Sequence, residues 1–170
     1  MPSQGNKIMN SKSATLHMLC GKVAAGKSTL AAKLAGASQT VLIGEDAWLH
    51  LLYANEIKTL RDFQHRSLQL REAMAPHIAS LLRAGLSVVL DFYANTIESR
   101  VWMRGIIEET SAAHVLHVMT PPDAVCLARL RQRNAFGTHE FQVTEDHFRQ
   151  VAEHFVAPKP EEGFNIVLHT

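Results

Sequence analysis

The residues best equipped for chemistry lie in one run, Gly21-Lys22-Val23-Ala24-Ala25-Gly26-Lys27-Ser28, which satisfies GxxxxGK[ST] in full. Gly21 and Gly26 permit backbone angles that a side chain forbids. The amides of residues 24–29 can then point at anionic oxygens. A helix N-terminus directly after such a turn adds positive potential. Lys27 can reach the terminal phosphates of a bound nucleotide, and the Ser28 hydroxyl can ligate a divalent cation. The chemistry is phosphate binding, with Gly21, Ala24, Ala25, Gly26, Lys27, Ser28 and Thr29 as contacts. The expected ligand is ATP with Mg²⁺.

A second acid-bearing pattern, Val88-Val89-Leu90-Asp91, is an apolar run ending in a carboxylate. Asp91 is the expected partner of Ser28 on the metal. Phe92 follows, where motor and transport ATPases commonly place a glutamate. Neither NKxD nor LSGGQ occurs, which argues against a GTPase and a transporter ATPase. Phosphoryl transfer remains, and it needs a base and mobile cations. Asp46 is the candidate base, with Glu45 in reserve; the weaker alternative for Asp46 is a cap on the helix it precedes. The cations are Arg129, Arg131 and Arg133. Arg129 and Arg133 are four apart and share a helix face, so they rank above Arg131 for stabilising a transferring phosphoryl group. Arg133 is also a candidate nucleotide contact. The bland alternative is a basic helix end that complements the helix dipole.

These groups need a scaffold. Short apolar runs at 15–19, 40–43, 87–90, 115–119 and 164–168 read as strands. Helical stretches at 28–34, 46–53, 63–83 and 96–109 alternate with them. Another helix opens at Pro121-Pro122 and a last one at Thr144. In the longest helix Leu70, Met74, Ile78 and Leu81 form an apolar stripe, and Pro76 is expected to kink or divide it. Ile97, Val101 and residues 103–107 are expected to face inward, and residues 134–141 to form a mobile loop. Alternating elements imply an α/β chain, a three-layer α/β/α P-loop fold of nucleoside-kinase type around a parallel sheet. Residues 1–13 read as a flexible tail, residues 14–170 as one domain, and about 129–143 as a lid.

A chain of 170 residues supports one domain, and a net charge of +1 supplies no strong field for nucleic acid. Cys20 and Cys126 lack CxxC spacing and read as reduced, buried thiols; the ten histidines lack metal-ligand spacing. No apolar run reaches membrane-spanning length, and the polar start lacks a signal-peptide core, so the expected compartment is the cytoplasm.

Taken in order, Ile43-Gly44-Glu45-Asp46, then Val88-Val89-Leu90-Asp91 with Asn95 and Arg100 downstream, then Arg129 and Arg133, resemble the AAA_33-type family of small P-loop kinases. That family lies near the zeta-toxin, chloramphenicol phosphotransferase and polynucleotide kinase groups. The stretch from Phe155-Val156-Ala157-Pro158 to Glu162-Gly163-Phe164-Asn165 is similar to uncharacterised bacterial members. The resemblance implies that Asp46 is the base, that Arg133 with Arg129 is the lid contact, and that Asp91 and Asn95 lie near metal and acceptor. Polynucleotide kinases commonly carry an arginine shortly after the catalytic aspartate; here Trp48, Leu49 and His50 follow. That departure weighs against a nucleic-acid acceptor. Trp48 reads as a core residue or as a stacking surface for an acceptor, Asn95 as a helix cap, and Arg100 as a surface arginine or an anion partner. The leading reading is a kinase acting on a hydroxyl of a small molecule. A polynucleotide end kinase and a non-catalytic ATP switch are the alternatives.

Overall fold

The computed structural model describes residues 13–137 and 143–169. All but the last residue of the expected tail, and residues 138–142 of the expected lid, lie outside them. The elements are β1 (Thr15–Cys20), α1 (Lys27–Ala35), β2 (Thr40–Gly44), α2 (Glu45–Tyr53), α3 (Leu60–Arg83) and β3 (Ser87–Tyr93). They continue with α4 (Ile97–Thr110), β4 (Ala113–Met119), α5 (Asp123–Phe136), α6 (Glu145–Glu153), a 3₁₀ turn (Pro160–Glu162) and β5 (Ile166–His169). The strands form one sheet in the order β2-β3-β1-β4-β5, with every pairing parallel. The expected fold class holds.

Period-two alternation sends β1 residues Leu16, Met18 and Cys20 to the same core as Val88, Leu90 and Phe92 of β3. There they meet Leu70, Ile78 and Leu82 of α3 and Met103, Ile106 and Ile107 of α4. Leu19 and Val89 point the other way and pack with Ala31 of α1. Helices on both faces explain why the strands read as continuous apolar runs. A separate cluster of Val23, Ala25, Cys126, Leu130 and Phe148 seats the phosphate loop on α5 and α6.

Several expectations need correction. α3 is not divided at Pro76 but continues across it as one helix. Its buried residues Leu70, Ile78, Ala79 and Leu82 lie on both sides of the proline, so packing holds the two halves together. Its start is held by a reciprocal capping box between Thr59 and Asp62. Ile97 and Val101 of α4 are exposed, at 49% and 64%. Ser99, Arg100, Met103, Ile106 and Ile107 take the inner face, because Arg100 is drawn inward by polar partners that sequence periodicity does not register. Residues 134–136 are helical and close α5 at Gly137, which takes a left-handed conformation at φ 61°. Both cysteines are free and buried, and burial pushes the Cys20 thiol up to about 11. His17, His117 and His169 form a row across β1, β4 and β5, with ring nitrogens 3.1 and 2.9 Å apart. Among the described residues no helix is long and apolar enough to cross a membrane.

Candidate nucleotide site and adjoining cavity

The phosphate loop leaves β1 at its C-terminal end and enters α1, at the edge where parallel α/β sheets bind ligands. A Cβ on Gly21 would lie 2.6 Å from the Met119 carbonyl oxygen, so β4 leaves no room for a side chain. Gly26, the N-cap of α1, has φ 105°. Ala24 also adopts a left-handed angle, φ 58°, at a cost of about 1 kcal/mol. The loop is anchored from outside by Asn95. Its side-chain oxygen accepts from the Gly21 amide at 2.8 Å, and its side-chain nitrogen donates to the Gly21 carbonyl at 2.9 Å. Asn95 is therefore a clamp on the loop, while Thr96 caps α4 by accepting from the Ser99 amide.

Lys27 is buried, and its ammonium donates to the carbonyls of Gly21 (2.6 Å) and Lys22 (2.7 Å). It also lies 4.8 Å from the centre of the Tyr93 ring. Burial pulls its pKa down to about 8, against the opposing influence of the Asp91 carboxylate. Lys27, Ser28, Thr29, Asp46, Asp91, Arg129 and Arg133 line one cavity of about 590 Å³, together with Ala24 and Gly26. Trp48 belongs to this wall and is 42% exposed, which corrects the reading of a core tryptophan.

The cap reading of Asp46 is also corrected. Gly44 is the N-cap of α2, and Glu45 and Asp46 lie in its acidic first turn. The two acids diverge. Glu45 is fully buried; it accepts from the Ser67 hydroxyl and, at 3.1 Å, from Arg71 Nε. Asp46 accepts from the Tyr93 hydroxyl at 3.3 Å. Burial, then the carboxylates of Asp46, Glu45 and Asp91, push the Tyr93 phenol well above its usual range, so it stays a proton donor.

The arginines separate as their spacing predicts. Arg129 Nη1 donates to the Ala25 carbonyl at 3.2 Å, and Arg133 lines the same cavity. Nε and Nη2 of Arg133 are buried with no hydrogen-bond partner among the described residues. Arg131 faces away and pairs with Glu145 at 2.6 Å. Arg100 is 1% exposed, so it is no surface residue. It makes a two-pronged pair with Glu162 (2.6 and 3.0 Å) and donates to the carbonyls of Ala94 and Val156.

A second cavity, of about 720 Å³, adjoins the first. Val23, Asp46 and Tyr93 border both. Sequence reasoning missed Tyr93, Ser67 and Arg71. For Tyr93 a signal existed: it lies two residues beyond Asp91, and strand alternation puts both side chains on one face. Ser67 and Arg71 are one turn apart on α3, but nothing local pairs them with Glu45.

The family model described as AAA domain, AAA_33, matches residues 16–158. The chain belongs to this family. No curated protein matches it by sequence. Among solved structures, this AAA_33 domain is similar to a proposed kinase from Chloroflexus aurantiacus J-10-fl, with TM-score 0.73, 18% identity, and 93% of this chain and 85% of that one covered. It is also similar to Chaetomium thermophilum Kti12 in complex with ADP-AlF3, with TM-score 0.70, 12% identity and coverage of 91% and 88%. A gluconokinase from Sinorhizobium meliloti 1021 aligns with TM-score 0.57, 15% identity and coverage of 93% and 83%. These likenesses establish a P-loop kinase-like fold.

Proposed function

We propose that the protein transfers the γ-phosphoryl group of ATP to a hydroxyl of a small molecule seated in the second cavity. The observation that carries this reading is the position of Asp46 on the wall shared by the two cavities. A base is useful only where it reaches both the acceptor hydroxyl and the phosphoryl group. The AAA_33 membership and the kinase-like fold support the same reading.

Each residue then has a role. The loop amides of residues 24–29 and Lys27 hold the phosphates. The Ser28 hydroxyl and the Asp91 carboxylate, hard oxygen donors on one cavity wall, suit Mg²⁺, which would neutralise phosphate charge there. Arg133, with buried donors left over, and Arg129 stabilise charge on the transferring group. Asp46 accepts the acceptor's proton as its oxygen bonds to the γ-phosphorus and the bond to ADP breaks.

The test is ADP release from Mg-ATP in the presence of hydroxyl-bearing compounds, beside titration with a fluorescent ATP analogue. Asp46→Asn is expected to lower acceptor-stimulated turnover at least about 100-fold with analogue affinity unchanged. Lys27→Ala is expected to abolish analogue binding. Wild-type turnover by Asp46→Asn would remove Asp46 as the base.

A further inference from the structure

The second cavity has walls of a distinctive kind. Ile57, Leu60, Phe63 and Leu68 line it from the start of α3 and the residues before it, and Val143 and Val151 from α6 and the residues before it. The interior polar side chains that also reach it are engaged within the protein. Ser67 and Arg71 both donate to Glu45, and Arg71 Nη1 donates to the Ser99 hydroxyl at 2.9 Å. Asn95 commits both ends of its amide to Gly21, and Tyr93 donates to Asp46. Glu45 balances the charge of Arg71, whose guanidinium carbon lies 5.6 Å from the centre of the Trp102 ring. Among the described residues, the remaining charged or titratable liners, Lys58, Glu98, His147 and His154, are exposed.

A polyol or a phosphate-bearing acceptor would give up water at many polar atoms in such a cavity and find few replacements. An apolar body would lose nothing and would cover the aliphatic and aromatic walls. The volume lies in the range of cavities that hold drug-sized molecules.

We infer that the phosphoryl acceptor is an alcohol on a predominantly apolar body, an aromatic or alicyclic ring system whose hydroxyl meets Asp46 while its body lies against the Phe63 and Leu68 wall. This rests on the phosphotransfer reading and narrows it. In the reaction the alcohol oxygen bonds to the γ-phosphorus, the bond from that phosphorus to the β–γ bridging oxygen breaks, the hydroxyl proton passes to Asp46, and ADP leaves.

The experiment compares ADP release by the full chain with Mg-ATP across acceptor sets. One contains aromatic and alicyclic alcohols such as phenylpropanol and cyclohexylmethanol, another contains polyols and sugar acids, and a third is an oligonucleotide with an unphosphorylated terminal hydroxyl. The apolar alcohols are expected to stimulate saturably, with kcat/KM at least about tenfold above the other sets. Leu68→Asp, at an exposed position whose change spares the core, is expected to lower that kcat/KM about tenfold through KM. Its affinity for the fluorescent ATP analogue should not change. Stimulation by polyols or the oligonucleotide alone overturns the apolar acceptor and leaves phosphotransfer standing. If no set raises ADP release while the analogue binds, phosphotransfer itself fails and takes this inference with it.

Discussion

Tyr93 joins the two halves of the site. Its hydroxyl donates to Asp46, and its ring lies beneath the Lys27 ammonium. A hydrogen bond to a carboxylate orients it, and an aromatic face tolerates a buried cation better than an aliphatic wall does. Tyr93→Phe separates these contributions, because the ring stays and only the hydroxyl goes. The expected result is a loss of about tenfold in acceptor-stimulated kcat, the equivalent of one net hydrogen bond. Affinity for the ATP analogue should hold, since the support for Lys27 is intact. Steady-state kinetics beside analogue titration decides it; an unchanged kcat would show that Asp46 does not depend on Tyr93 for its orientation.

The phosphate loop depends on elements that do not neighbour it in the chain. Asn95 follows β3 and binds Gly21, and the Ala94 amide donates to the Leu19 carbonyl. Together they extend the β1–β3 pairing beyond the sheet's regular end. Asn95→Ala leaves the Gly21 carbonyl with Lys27 as a donor but removes the acceptor of the buried Gly21 amide. An orphaned buried donor costs about 1–3 kcal/mol. Urea denaturation should report that loss, with a weaker affinity for the ATP analogue as the loop loosens. Wild-type stability in this variant would mean the loop is held by its glycines and packing alone.

Across the whole molecule, two sets of buried and half-buried polar groups join distant parts of the chain. Arg100 and Arg104 bind Glu162, and the Val156 amide donates to the Asn95 carbonyl, so the segment before β5 is held against α4. Arg100 holds the Glu162 carboxyl below its usual range. The histidine row ties β1, β4 and β5 together on the opposite face. Burial, then the flanking His17 and His169, pull His117 from 6.5 down to about 4. The unfolded chain therefore binds a proton that the folded chain refuses between those values. Stability from the neutral His117 is full above pH 6.5 and is lost as pH falls from 6.5 toward 4. Thermal melts followed by circular dichroism should show the melting temperature falling across that window. His117→Gln should flatten the fall; an unchanged slope would assign the acid sensitivity to other groups.

Much of this protein was legible in its sequence, because the signals are local. GxxxxGK[ST] specifies its own turn, strand alternation and helix periodicity mark the elements, and alternating elements dictate a parallel sheet. The same local logic marked Asp46, Asp91, Arg129 and Arg133, and the fold brings all of them to one cavity wall. Tertiary structure decided the rest. Asn95 reaches its partner across 74 positions, Arg100 across 62, and His17 meets His117 across 100. No periodicity reports such pairings. They turned a cap into a clamp, buried a surface arginine, set the phase of α4 so that Ile97 and Val101 face outward, and aligned three histidines from separate strands. The second cavity has the same origin, since its walls come from separate elements that only packing brings together. A phosphate loop is a short-range geometry that its own residues impose. A cavity is a space between elements, and the chain defines it only once those elements meet.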